Sequence, residues 1–257
     1  LKIFNSKPLL LFFFICLFCA CSPSVEYNQI RVTEVIDGDT VRLSNGKLLR
    51  YIGIDTPEIR DKNDNFAYKP QEYALEALEL NKWLVENKDL RIEFDIVKKD
   101  KYGRLLGYCF IGDDFINEIL LQQGLAILYT YPPNVKYVEA FVLAQNQARA
   151  ESRGCWSKQS TIGHLDALKD VGKVKSVVGY VVNTYKSDKC VYLNFGKDYK
   201  TDFTIVIFNN SLDSFKKADI SPQKYYKNKK VRVTGRIKEY NGPEIIVNVP
   251  QEIEIIN

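Results

Sequence analysis

Residues 35–58 read Val35-Ile36-Asp37-Gly38-Asp39-Thr40-Val41-Arg42-Leu43-Ser44-Asn45-Gly46-Lys47-Leu48-Leu49-Arg50-Tyr51-Ile52-Gly53-Ile54-Asp55-Thr56-Pro57-Glu58. Asp37-Gly38 and Asn45-Gly46 are strong signals for tight β-turns, and the runs between them are rich in Val, Leu and Ile. Together they predict a three-strand meander from Gln29 to Ile54. If the second turn is a three-residue loop with a bulge, Leu43 faces Leu49, Val41 faces Tyr51 and Asp39 lies across from Gly53. Alternate residues of a strand share a face, so this register gathers Asp39 and Asp55 on one side. A two-residue turn would part them, because a slip of one residue flips the face. The bulged form is the preferred reading.

Beyond the meander comes a polar stretch, Arg60 to Lys69. Pro70 then opens a helical segment to about Asn87, with Ala74, Ala77, Leu78 and Leu84 at helical spacing. Leu90–Val97 and Leu105–Ile111 read as strands, joined by the turn Lys101-Tyr102-Gly103-Arg104. Two further helices are predicted, Asp114 to Gln123 closed by Gly124 and Val135 to Arg153 closed by Gly154. Five strands with interposed helices fit an OB-type barrel, a mainly β fold with helices (α+β).

The same stretches carry the candidate chemistry. Asp39 and Asp55 are hard oxygen donors suited to a divalent cation. Glu58, three residues past Asp55 and stiffened by Pro57, is a candidate general base. Arg50 and Arg104 are candidate phosphate clamps, because guanidinium stays charged and presents paired donors. Arg50 sits among Leu48, Leu49, Tyr51 and Ile52, an awkward place for an unpaired structural arginine. Taken singly, Asp-Gly-Asp is a plain hairpin turn, Asp-Thr-Pro-Glu an ordinary helix start and Arg104 a surface arginine. Their order along one chain is what gives them weight.

That order, Asp37-Gly38-Asp39-Thr40, then Arg50, then Asp55-Thr56-Pro57-Glu58, then Lys101-Tyr102-Gly103-Arg104, then Tyr129-Thr130-Tyr131, resembles the thermonuclease (staphylococcal nuclease-like) family over about Ile30 to Trp156. The resemblance implies a calcium-dependent phosphodiesterase that cuts DNA and RNA and leaves 3′-phosphates. It implies calcium on Asp39, Asp55 and the Thr56 carbonyl. It also places Lys101 and Tyr102 near the terminal phosphate, and Tyr129 and Tyr131 against the nucleoside. The Arg60–Lys69 stretch is sparser in Lys and Gly than the family loop, and the turn after Ser44 is shorter. A non-catalytic module binding nucleic acid or protein through the same barrel is the alternative.

The flanks add two expectations. Lys2 and Lys7 precede an apolar run from Leu9 to Ala20, too short to span a bilayer and suited to a signal-peptide core. It ends at Cys19-Ala20-Cys21, which suggests a lipoprotein with Cys21 lipidated, a tether over 22–28 and a location outside the cytoplasm. Plain secretion is the other reading. After a linker (157–172), residues 173–257 show alternating apolar runs with a helix-like insert at Leu212–Lys217. They read as a second, smaller OB-like β-barrel or a small β-sandwich.

The halves differ in charge: residues 1–171 hold 21 Lys/Arg against 23 Asp/Glu, and residues 172–257 hold 15 against 9. This asymmetry suits a cation-binding front and a polyanion-attracting back. In the back half Lys224, Lys227, Lys229, Lys230, Arg232, Arg236 and Lys238 lie beside Tyr225, Tyr226 and Tyr240, a composition that can form a single-strand groove. His164 is the only histidine, which excludes His-based triads and His-rich metal sites. Cys109, Cys155 and Cys190 are odd in number and widely spaced, so no disulfide framework is expected. A monomer without a small-molecule cofactor is expected.

Overall fold

The computed structural model describes residues 27–59, 67, 70–157 and 161–256. The apolar leader with Cys21, and the Arg60–Lys69 stretch apart from Ala67, lie outside the described residues. Among the described residues no helix is long and apolar enough to cross a membrane.

Strands β1 (Tyr27–Val35), β2 (Thr40–Leu43) and β3 (Leu48–Tyr51) form the expected meander. With β4 (Asp89–Glu93) and β5 (Leu105–Ile111) they close a barrel. β1 pairs antiparallel with β2 and β4, and β2 with β3. β4 pairs antiparallel with β5, and β3 and β5 run parallel to complete the ring.

The Asn45-Gly46 turn is the bulged three-residue form: Leu43 donates to the Lys47 carbonyl at 2.9 Å, and Gly46 has φ 79°. The pairing is nevertheless displaced by two residues from the expected one. Val41 faces Leu49, and Asp39 lies opposite Tyr51, whose N–H it accepts at 2.9 Å. The hairpin closes on Lys47, so fewer residues stand in the loop than the predicted pairing allowed. A shift of two keeps every side chain on its face, so Asp39 keeps its side of the sheet.

Helix α1 (Ala74–Val85) buries Ala74, Ala77, Leu78 and Leu84. It starts later than Pro70 because Gln71 donates back to the Glu58 carbonyl and Tyr73 sits at φ 67°. Helix α2 (Ile116–Gln122) is shorter than predicted, since Asp114–Phe115 pairs with the end of β5 instead. Helix α3 (Val138–Ala150) lies within the predicted segment. Leu49, Tyr51, Ile92, Tyr108 and Phe141 anchor the barrel core, each such burial contributing roughly 1.5–3 kcal/mol. Cys109 is a fully buried free thiol.

The C-terminal residues build a second strand assembly of two sheets around their own core, called the second ring below. Its strands are β6 (Val174–Tyr180), β7 (Asn183–Lys186), β8 (Cys190–Asn194), β9 (Thr204–Phe208), β10 (Lys230–Arg236), β11 (Lys238–Glu239) and β12 (Pro243–Ile246). β7–β8–β9 is antiparallel, β9 runs parallel to β12, β12 pairs with β11, and β10 pairs with β6. Helix α4 (Leu212–Lys217) falls between β9 and β10, as α1 falls between β3 and β4. Strand β7 gave no sequence signal, because Asn-Thr-Tyr-Lys has no buried face. Residues 161–170 form a strand alongside β6 and a 3-10 turn that places Ala167 in the second core.

Candidate active site

The site is built where β2 begins and β3 ends. Asp37 Oδ1 accepts the Asp39 N–H at 3.0 Å, a local turn that Asp-Gly sequences favour. Gly38 permits the turn to press on its surroundings, since a Cβ there would stand 2.7 Å from Thr56 Oγ1 and 2.8 Å from the Ala77 Cβ. From α1, buried Asn81 donates to the Asp37 carbonyl and accepts from the Tyr51 hydroxyl. The turn is thus fixed from three sides.

Arg50 occupies the centre with a nearly buried guanidinium. Nη1 donates to the carbonyls of Tyr51 (2.8 Å) and Ile54 (2.9 Å). Nε lies 3.0 Å from Asp39 Oδ1, and Nη2 lies 3.1 Å from Asp55 Oδ1. Gly53 makes the necessary bend between β3 and Asp55: it has φ 81°, and its Cα faces the Phe141 ring so closely that a Cβ would stand 2.5 Å from it. Asp39 is itself 4% exposed, and its Oδ2 accepts the Thr56 N–H and hydroxyl at 2.9 and 3.0 Å.

Carboxylates outnumber the cation they surround. Asp37 is pushed up to about 7, by burial first and then by the Asp39 charge. Asp55 is raised, chiefly by burial, although Arg50 pulls it the other way. Glu58, on the exposed rim, is raised by burial and then by the charges of Asp39 and Asp55. Burial works against the Arg50 cation, yet the surrounding carboxylates prevail and raise its pKa. Added positive charge is therefore favoured here.

Among the described residues no group of three or more His, Cys, Asp or Glu side chains is arranged to hold a metal ion. The donor chemistry still fits a hard cation that retains much of its water: Asp39 and Asp55 both stand within reach of one guanidinium, beside the Thr56 backbone.

Arg104 reaches the same place from the β4–β5 connection. Asp100 shapes that turn: its Oδ1 accepts the N–H groups of Tyr102 and Arg104, and its Oδ2 takes Arg104 Nε at 2.7 Å. Arg50, Arg104, Tyr129 and Tyr131 line one cleft of about 260 Å³. Lys101 and Tyr102 stand exposed on the Arg104 turn, with the ammonium 4.9 Å from the ring centre.

Two contributors escaped the sequence reading, and a third enters it only as part of the C-terminal basic cluster. Asn81 and Asp100 support the turns, but an Asn in a helix and an Asp before a lysine are unremarkable in a string of letters. The third, Arg236, comes from the second ring: its Nη2 lies 3.8 Å from Asp55 Oδ2 while its Nη1 donates to the Gly172 carbonyl at 2.9 Å. Only docking of the two rings brings it there. That seam also joins Arg149 to Glu254 (2.8 Å), Gln251 to Glu139 (2.7 Å) and the Thr130 N–H to Glu252 (3.3 Å). The basic and aromatic cluster expected around Lys224–Tyr240 does not form one groove. Tyr226 is buried in the second core, Tyr225 lies under Lys229, and Tyr240 stands in a separate cleft.

The stretch of chain that carries this arginine–carboxylate cluster is similar in sequence to known proteins. Residues 48–158 match the model of the family described as staphylococcal nuclease homologue. The chain is 41% identical over 130 residues to the thermonuclease of Staphylococcus hyicus, covering 49% of this chain and 75% of that one. It is 38% identical over 139 residues to endonuclease YncB of Bacillus subtilis, covering 52% and 64%. It is 37% identical over 142 residues to the SPbeta prophage-derived endonuclease YokF of the same organism, covering 53% and 47%. The match thus spans less than two thirds of either Bacillus protein. The chain belongs to the staphylococcal nuclease homologue family.

Proposed function

We propose that this protein is a nuclease that hydrolyses phosphodiester bonds of DNA, RNA or both, with calcium at Asp39, Asp55 and the Thr56 carbonyl. The observation that carries the reading is Arg50: a guanidinium fixed by two main-chain carbonyls and two carboxylates, lining one cleft with Arg104, Tyr129 and Tyr131. Bound there, calcium supplies charge that favours an anionic phosphate and its transition state.

The chain's own residues do the rest. Arg50 and Arg104 hold the non-bridging oxygens and offset the charge that grows on them, an effect worth on the order of 10²–10³ in rate per donor. Glu58 takes a proton from water as its oxygen attacks phosphorus in line. The P–O5′ bond breaks, leaving a 3′-phosphate and a 5′-hydroxyl that draws its proton from solvent. Tyr129 and Tyr131 stack on the nucleoside, and Lys101 and Tyr102 approach the terminal phosphate. The leader and Cys21 fit an exported, lipid-anchored protein, acting as a monomer where calcium is abundant.

The test is plasmid digestion with calcium and with chelator. Cleavage should require calcium and should fall at least a hundredfold in Glu58→Gln and in Arg104→Ala. Activity that survives both substitutions together would refute the assignment.

A further inference from the structure

We infer that the outward face of the second ring is a single-stranded nucleic-acid track continuous with the Tyr129/Tyr131 cleft; its direction rests on the nuclease reading above. Alternation along β8, β9 and β12 separates two faces. Val191, Leu193, Ile205, Ile207 and Ile245 point into the second core. The residues between them lie on the opposite face, where strand pairing places Tyr185 beside Tyr192 beside Val206 beside Ile246; Tyr185 is open to solvent, while Val206 is covered at 3% exposure.

Two clefts open on that face. At one end Phe208, Ile246 and Asn248 join Tyr129 and Tyr131 around a space of about 530 Å³. The Tyr131 hydroxyl there accepts from Asn210 of the second ring at 3.3 Å. At the other end Tyr185, Tyr192, Tyr199 and Tyr240 line a cleft of about 500 Å³ with Asn194 and Glu244. Phe208 belongs to the first cleft and Thr204 to the second. They are four residues apart on β9, about 13 Å along the strand.

The side chains there suit bases. Tyr185, Tyr199 and Tyr240 are 60%, 56% and 79% exposed, a concentration of wet aromatic surface that folding does not require. Tyr185 and Tyr192 already stack on each other, with centroids 6.1 Å apart and planes 22° apart. Bases stack on such rings without regard to sequence, and OB-type barrels use this kind of sheet face. Asn183, Asn194 and Asn241 add amide donors and acceptors. Charge on the face is mixed: Lys189 and Lys197 stand against Asp188 and Glu244, and Lys238 pairs across from Glu244. Binding would therefore rest on stacking, with few phosphate contacts and a shallow salt dependence, a slope of about −2 in log K against log salt. Continuity with the cleft of Arg50 and Arg104, through Tyr129 and Tyr131, selects a polynucleotide over a neutral glycan as the occupant.

The test uses the full chain in chelator, with fluorescein-labelled dT12 followed by anisotropy. Tyr185→Ala/Tyr240→Ala should weaken binding at least tenfold, and Tyr185→Phe/Tyr240→Phe should restore it, because stacking needs the ring and not the hydroxyl. The rescue also separates lost contact from lost fold. Binding by the Ala pair within twofold of the unsubstituted chain would overturn the inference. So would loss of binding to a hexamer of N-acetylglucosamine with dT12 unaffected. If the chain cuts no nucleic acid in calcium, the nuclease reading fails, but this binding result still decides the track.

Discussion

The first ring closes through its β3–β5 pairing while the second is laid out as two sheets, and the two differ most at one hairpin, β2–β3 in the first and β8–β9 in the second. In the first ring the opening pair of that hairpin is Thr40 opposite Arg50; in the second it is Cys190 opposite Phe208. The first ring fills that end with a cation, carboxylates and main-chain carbonyls, and burial, reinforced by repulsion among the carboxylates, raises Asp37, Asp55 and Glu58. The second sets a buried Cys190 opposite a 40% exposed Phe208 there and concentrates aromatic side chains on the outside of the sheet. Two strand assemblies of one chain therefore carry two different surfaces, and the chemistry follows the side chains rather than the fold.

The comparison breaks most sharply at Arg50. On the proposed nuclease reading Arg50→Ala removes a transition-state donor, and it takes the shared cation from Asp39 and Asp55, so kcat/KM for plasmid cleavage should fall by about 10²–10³ or more. Arg50→Lys should recover little, because an ammonium cannot address two carbonyls and two carboxylates in a plane. The matched control is Arg232, which in the second ring sits 3.0 Å from Glu254. Arg232→Ala should leave kcat/KM within about twofold. Equal losses at both arginines would mean that the first ring holds no privileged site.

Glycine sharpens the same contrast. Gly53→Ala forces an L-residue into a left-handed conformation against the Phe141 ring. The expected cost is about 2–5 kcal/mol in urea unfolding. Activity should fall tenfold or more, because Asp55 lies two residues on and small displacements of a site are expensive. Gly235 in the second ring has no such backbone restriction, and a Cβ there would meet only Ile245 Cγ2 at 2.9 Å. Gly235→Ala should cost about 1–3 kcal/mol with cleavage unchanged.

These contrasts show what could be read from the letters. The first meander was legible because Asp-Gly and Asn-Gly fix turns through local backbone preference. Only the count of residues in the Asn45-Gly46 loop misplaced the pairing, by two. Arg50 was legible because a charge among Leu48, Leu49 and Ile52 demands partners. Strand β7 was not, since its polar residues obtain their strand state from pairing with β8. Nor was the position of Arg236, which reads in the sequence as one of a basic cluster and whose place beside Asp55 depends on a contact between residues 181 positions apart in the chain. Local chemistry writes itself into sequence; docking does not.

Arg236 therefore tests whether the second ring takes part in the first ring's site. Removing its charge should act in opposite directions on the two ligands. Arg236→Ala should raise KM for DNA about three- to tenfold, as loss of a rim charge near a polyanion does. It should also lower the calcium concentration giving half activity, because Asp55 would lose a competing cation 3.8 Å away. Movement of both quantities in the same direction would place Arg236 outside the site.

The smallest expected effect compares two carboxyl groups that are both raised to about 7, Asp37 in the first ring and Glu252 at the seam. For Asp37 the cause is burial reinforced by Asp39; for Glu252 it is burial alone, opposed by the N–H groups of Asn248, Thr130 and Val249. Each group holds its proton more firmly folded than unfolded. Between the ordinary carboxylate range and pH 7 the unfolded chain therefore binds fewer protons, and stability falls as pH rises. For Glu252 the window is pH 4.5 to about 7, with a fall on the order of 2–3 kcal/mol. Glu252→Gln should remove that fall, although its amide set against peptide N–H groups adds a constant cost at every pH. Calcium should flatten the portion due to Asp37, whose excess negative charge it would relieve, and leave the Glu252 portion intact. Urea unfolding at several pH values, with calcium and with chelator, separates the two. A calcium-sensitive slope that disappears in Glu252→Gln would assign the cation to the seam instead of the Asp39 turn.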